Sequence, residues 1–107
     1  MENLELIQKL SILHCVYQMI ASADGSVIEE RDEAAIEFAS SALDLSSDHF
    51  WQSALKLNPY DCFTHVSGIT DDEKKHFETL LLNIADMGGN KVFRMTCAKH
   101  IFQFCKV

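Results

Sequence analysis

The sequence predicts an all-α fold, a single-domain bundle of about six helices arranged as two pseudo-repeated helical hairpins. Three observations carry that expectation. Glycine and proline are scarce, four and one in 107 residues, so few positions interrupt a helix. Apolar residues recur at helical steps and nowhere in the sustained β-branched alternation of a strand. Turn and capping residues fall between the periodic stretches rather than inside them.

Leu6, Leu10, Leu13, Tyr17 and Ile20 form one face of a first helix from about Glu2 to Ser22, which Asp24-Gly25 ends. The second helix runs from about Val27 to Leu43. Ser26 and Glu29 form its capping box, Ala35, Ile36, Ala39 and Leu43 point inward, and Glu30, Glu33 and Glu37 point outward. Ser46 or Ser47 caps a short third helix through Phe50, Trp51, Ala54 and Leu55. Asn58-Pro59 starts the fourth, with asparagine as cap and proline at the first helical position, and Ser67-Gly68 ends it. Thr70-Asp-Asp-Glu73 is a second capping box, opening a helix that buries Phe77, Leu80, Leu81 and Ile84. Gly88-Gly89-Asn90 ends that helix. The last one, about Lys91 to Lys106, is apolar on most sides and is expected at the centre of the bundle. Trp51, Phe50 and Tyr60 are expected to fill the joint between the hairpins.

The whole chain, 1–107, reads as one domain with pseudo-repeats at about 4–45 and 70–107. Ile20-Ala21 matches Ile84-Ala85, Gly25 matches Gly89 and Phe38 matches Phe102, at one gapless offset of 64. The second copy has lost the acids of the first turn, since Asp24 falls on Gly88, Glu29 on Phe93 and Glu30 on Arg94.

An apolar share of 48% is enough for a buried core, and 16 acids against nine bases give a net charge of −7. That sign opposes binding to nucleic acid or anionic lipid and suits cations or a basic protein. The first 50 residues hold ten acids against Lys9 and Arg31, whereas the rest hold six acids against seven bases. The two halves are expected to attract each other within one globule. Head-to-tail association is the other way to satisfy the asymmetry, so the chain reads as monomer or homodimer. No stretch is apolar enough to span or insert into a membrane, and Met-Glu-Asn lacks a basic leader region, so a cytoplasmic location with reduced cysteines is expected.

The acids around Asp24-Gly25 invite a hard divalent cation, Ca²⁺ or Mg²⁺, and equally serve as helix-capping and dipole-complementing groups. An EF-hand is excluded. Setting Gly25 at the loop glycine places Ile20 first and Arg31 last, and neither can ligate a cation. Cys62-Phe-Thr-His65 and Cys97-Ala-Lys-His100 are two Cys-x-x-His pairs, and zinc would need both to meet. Buried thiols beside partly exposed histidines are the favoured reading, so zinc is not expected. His14 and Cys15 are helix neighbours about 100° apart and form no dyad with each other. No P-loop, dinucleotide fingerprint, nucleophile elbow or HExxH motif occurs, so no enzyme is expected.

Met19-Ile-Ala-Ser-Ala-Asp-Gly-Ser-Val-Ile-Glu-Glu30 and the weaker Leu82-Asn-Ile-Ala-Asp86 resemble the turns of the TerB-like family. This is the helical module of tellurite resistance operons and of some membrane-tethered co-chaperones. Arg31 stands where a further glutamate is common, and Met87-Gly88 breaks the second Asp-Gly pair. The resemblance implies a link to stress responses and protein assembly, with divalent-cation binding by acidic turn residues. By position these are Asp24, Glu29 and Glu30, with Asp86 from the second turn. The expected function is therefore a non-enzymatic protein-interaction module of a stress or tellurite-resistance system, with weak cation binding at the Asp24-Gly25 turn. The alternative is a metal-free acidic adaptor or inhibitor that binds a basic partner.

Overall fold

α1 (Leu6–Asp24) runs through the middle of the molecule, and all five other helices pack against it. They are α2 (Glu30–Ala42), α3 (Asp48–Leu55), α4 (Pro59–Ser67), α5 (Asp71–Asp86) and α6 (Lys91–Phe104). This computed structural model describes residues 4–24, 30–45, 48–87 and 91–107 and, of residues 22–24, 30 and 31, the backbone alone. Helix is the only regular secondary structure among the described residues, so the fold is an all-α single-domain bundle.

The central position of α1 follows from its sequence. Residues 11–16 are all buried, as are Met19 and Ile20, so the helix is covered on several sides rather than along one stripe. Two of those buried positions are polar and locally satisfied. Ser11 Oγ donates to Ile7 O at 2.7 Å, one turn back. His14 holds α3 in place, as described below. Leu6, expected on the inner face, is about half exposed at the helix start.

α6 is a flank of the bundle, not its centre. Its buried stripe is Arg94, Ala98, Ile101 and Cys105, whereas Val92 is 78% and Phe93 65% exposed. A helix that packs on α1, α5 and α4 along one narrow stripe leaves its other apolar residues outside.

The caps on α4 and α5 form where the sequence places them. Asn58 Oδ1 accepts from the Tyr60 and Asp61 amides at 2.9 and 3.3 Å, with Pro59 at the first helical position. Thr70 Oγ1 accepts from the Glu73 amide at 3.2 Å. The reciprocal half of that box is missing: Glu73 is buried and its Oε2 makes no hydrogen bond. The Ser26–Glu29 box, the Ser46 or Ser47 cap and the Gly88-Gly89-Asn90 turn lie outside the described residues.

α2 and α6 end alike. Asp44 and Lys106 both take left-handed backbone, φ 57° and 58°. After them Leu45 N–H donates to Ser40 O at 2.8 Å, and Val107 N–H to Phe102 O at 2.9 Å. These are matching Schellman closures. The second helices therefore correspond at a spacing of 62, which also pairs Leu43 with Cys105 and Ala39 with Ile101, all buried. The gapless offset of 64 suits α1 and α5, where Leu13, Val16 and Ile20 match Phe77, Leu80 and Ile84. It fails for Phe38, which is 40% exposed, while Phe102 packs edge-on against Phe77 at 5.9 Å.

At the same spacing of 62, Asp32 and Arg94 form a fully buried ion pair, Arg94 Nη2 to Asp32 Oδ1 at 2.5 Å. Arg94 Nη1 also donates to Ile84 O at 3.2 Å, a carbonyl in the last turn of α5. One guanidinium thereby ties α2, α5 and α6 together. The pair joins one residue of the acidic half to one of the less acidic half. Asp32 points inward, whereas its helix neighbours Glu33 and Glu37 are exposed.

Candidate functional site

The residues expected to hold a cation are not gathered into a described site. Asp24 ends α1 and Glu30 begins α2, but their side chains, and Glu29 altogether, lie outside the described residues. Asp86 is described. Its Oδ1 pairs with Lys91 Nζ at 2.6 Å, across the α5–α6 turn, with both side chains largely exposed. The pair is a surface contact of small energetic weight, about 0–1 kcal/mol. Among the described residues, no three His, Cys, Asp or Glu side chains come together as a group that could hold a metal ion. That includes the two Cys-x-x-His pairs. Cys62 is buried beside a half-buried His65, Cys97 is half-buried, and His100 is exposed.

His14 belongs to the core. Its Nδ1 lies 2.8 Å from Ala54 O, which can only accept, so Nδ1 carries the proton. Nε2 then accepts from Gln18 Nε2 at 3.1 Å. The imidazole seals the end of α3 onto α1 and has no thiol or carboxylate as a catalytic partner in these contacts. Tyr17 stacks at a tilt on its ring at 5.8 Å, and Trp51 meets Tyr17 edge-on at 6.1 Å. Trp51 and Phe50 are half-buried and pack on the core. Tyr60 does not: it is 72% exposed.

Tyr60 belongs instead to an aromatic ladder across α4 and α6. Its ring meets Phe63 edge-on at 6.3 Å, and Phe63 stacks nearly parallel on Phe104 at 5.1 Å and 8°. Phe63 is buried, whereas Phe104 is 58% exposed, so the ladder has a fixed middle and two open ends. The sequence carries a faint signal for it. Tyr60 and Phe63 are three apart on one helix, and Phe104 follows the Ala98–Ile101 stripe without being on it.

Cys15, Cys62 and Cys105 are buried on α1, on α4 and just past α6, and all four cysteines are free. A hydrogen bond from Cys15 holds the Cys105 thiol below its ordinary value, against the effect of burial, and Lys74 adds a favourable charge. The same contact and burial push Cys15 well above the ordinary value. Burial raises Cys62 as well, with the neighbouring Ser11 hydroxyl opposing it and Asp61 adding to it.

No protein-family model matches the chain, and searches of curated proteins and of solved structures return no similar protein. The resemblance to TerB-like proteins thus rests on the residues of the two turns alone. Among the described residues, no helix is long and apolar enough to cross a membrane.

Proposed function

We propose that the protein is a non-enzymatic interaction module that docks a protein partner on the aromatic ladder of α4 and α6. The observation that carries this reading is the pairing of a buried, stacked Phe63 with the exposed rings of Tyr60 and Phe104. Large rings held in place by a packed neighbour lose little entropy on binding, and such aromatic anchors dominate protein interfaces. A monomer gains nothing from leaving them in water. The partner is a protein rather than nucleic acid, given the net charge of −7.

The TerB-like resemblance would place this module in a cytoplasmic stress or tellurite-resistance system, with a weak Ca²⁺ or Mg²⁺ site formed by Asp24, Glu29 and Glu30. It is supported by Ala23-Asp24-Gly25, Val27, Glu29 and Glu30. Asp86, committed to Lys91, is the weakest member of that set.

Affinity capture from the native host tests the docking reading, using wild type, Tyr60→Ser with Phe104→Ser, and Val92→Ser with Phe93→Ser. The expected result is a partner retained by the wild type and the Val92/Phe93 variant but lost by the Tyr60/Phe104 variant. Equal recovery on all three baits would overturn the assignment of the surface.

A further inference from the structure

α2 and α6 carry opposite charges at corresponding positions. The spacing of 62 that matches buried Asp32 with Arg94 also matches Glu37 with Lys99 and Asp44 with Lys106, and these four side chains are exposed. On α2 the exposed residues fall into two neighbouring rows at steps of four. Glu33 and Glu37 form an acidic row, and Ala34, Phe38 and Ala42 form an apolar one. No described residue on this face is basic. On α6, Val92, Thr96, Lys99 and Gln103 recur at steps of four, three and four, and all are exposed, with Phe93 beside Val92. α6 holds no acid. Lys91 at its start is held by Asp86 at 2.6 Å, so Lys99 is the cation in the middle of this face.

Size and charge together set one register. Laid antiparallel with Val92 over Ala42, an α6 brings Thr96 to Phe38 and Lys99 to the gap between Glu33 and Glu37. A large ring then meets a small side chain, and one ammonium meets two carboxylates. The parallel arrangement with the same Phe38–Thr96 contact would set Lys99 against Ser41, away from both glutamates. Both rows lie on the outside of the molecule, so an α6 can reach an α2 in this way only from a second copy. A net charge of −7 makes two copies repel at long range, and α6 is the surface on which one copy offers cations to the acids of the other.

We propose that this chain associates with a second copy of itself, the outer face of α6 of one copy lying antiparallel on the outer face of α2 of the other. Val92, Phe93 and Phe38 leave water in the contact, and Lys99 with Glu33 and Glu37 fixes its direction. Each copy carries both faces, so the same contact forms twice about a two-fold axis. The contact uses the first turns of α6 and the aromatic ladder its last one, so the inference does not depend on the docking surface.

Sedimentation equilibrium of the full chain, from micromolar to millimolar concentration, tests this together with carbodiimide cross-linking of mixed isotope-labelled and unlabelled chains. The expected result is a reversible dimer, with Lys99 of one copy linked to Glu33 or Glu37 of the other in mixed-label peptides. Lys99→Glu, and Glu33→Lys with Glu37→Lys, should each weaken self-association by about tenfold or more, because like charges then face each other. Mixing the two variants should restore association, since each supplies the charge that the other has lost. A wild-type chain that stays monomeric at millimolar concentration would overturn the proposal. So would cross-links that lie elsewhere, variants that associate as tightly as the wild type, or a mixture no tighter than its components. The wild-type cross-link map decides the matter even if a variant fails to fold.

Discussion

Arg94 on α6 reaches Asp32 on α2 at 2.5 Å with neither side chain exposed, and the two stand at corresponding positions of their helices. A buried ion pair is costly to desolvate and more costly to break in half. Asp32→Ala leaves a guanidinium charge in the core and should destabilise the fold by about 3–5 kcal/mol. Asp32→Leu combined with Arg94→Met replaces both charges by apolar volume and should fall within about 1 kcal/mol of wild type, or above it. Urea unfolding of the single and double variants measures this. A double variant as unstable as Asp32→Ala would show that the charges themselves hold the three helices together.

His14 gives a second, independent measure of core polarity. His14→Ala removes the long-range donor to Ala54 O and leaves that carbonyl with the Leu57 amide alone, at 3.2 Å. The lost hydrogen bond should cost about 1 kcal/mol, with the lost packing of the ring in addition. Gln18→Ala removes only the second contact of the ring and should cost less. Thermal unfolding ranks the two, and the reverse order would mean that the α1–α3 joint does not depend on the imidazole.

Where the sequence spoke through local chemistry, the structure agrees with it. The Asn58-Pro59 start, the Thr70 cap and the buried faces of α2 and α5 depend on contacts three or four residues apart, and these are written in the chain. What was not legible is which helix lies at the centre. α1 and α6 are both rich in apolar residues, and only tertiary packing decides that Ile12 is buried while Val92 is 78% exposed. Asp32 is hidden from the sequence for the same reason. An acid among Glu30, Glu33 and Glu37 looks solvated until its partner is found 62 residues away. The Phe63–Phe104 stack is equally long-range, and the three-residue spacing of Tyr60 and Phe63 reveals only one side of the ladder.

The cation reading of the first turn makes its own prediction. If Asp24, Glu29 and Glu30 bind Ca²⁺ or Mg²⁺, titration to millimolar metal should shift their amide resonances, and Asp24→Asn with Glu30→Gln should abolish the shift. Without a preformed cage the affinity should be weak, on the order of 10⁻³ M. Resonances of Asp86 and Lys91 should move little, because that carboxylate already has an ammonium partner at 2.6 Å. An unchanged spectrum around Asp24 and Glu30 leaves the acids as helix-capping groups alone.

The buried Cys62 thiol predicts how stability responds to alkali. Burial disfavours its thiolate in the folded protein, so its pKa is raised on folding. A group with a raised folded pKa contributes stability that is complete below its unfolded value, about 8.5 for a thiol, and is lost as the pH rises towards the folded value. Cys15 acts in the same direction, and Cys105, held below the ordinary value, in the opposite one. Between about pH 8 and 9.5, before lysine and tyrosine titrate appreciably, the urea midpoint of the wild type should therefore fall. Cys62→Ala removes one of the two thiols that drive the fall, leaving Cys105 to offset more of Cys15. Its midpoint should decline less steeply over the same range, under reducing conditions that keep Cys15 and Cys105 as thiols. Parallel curves for the two proteins would mean that Cys62 titrates alike in the folded and unfolded chain.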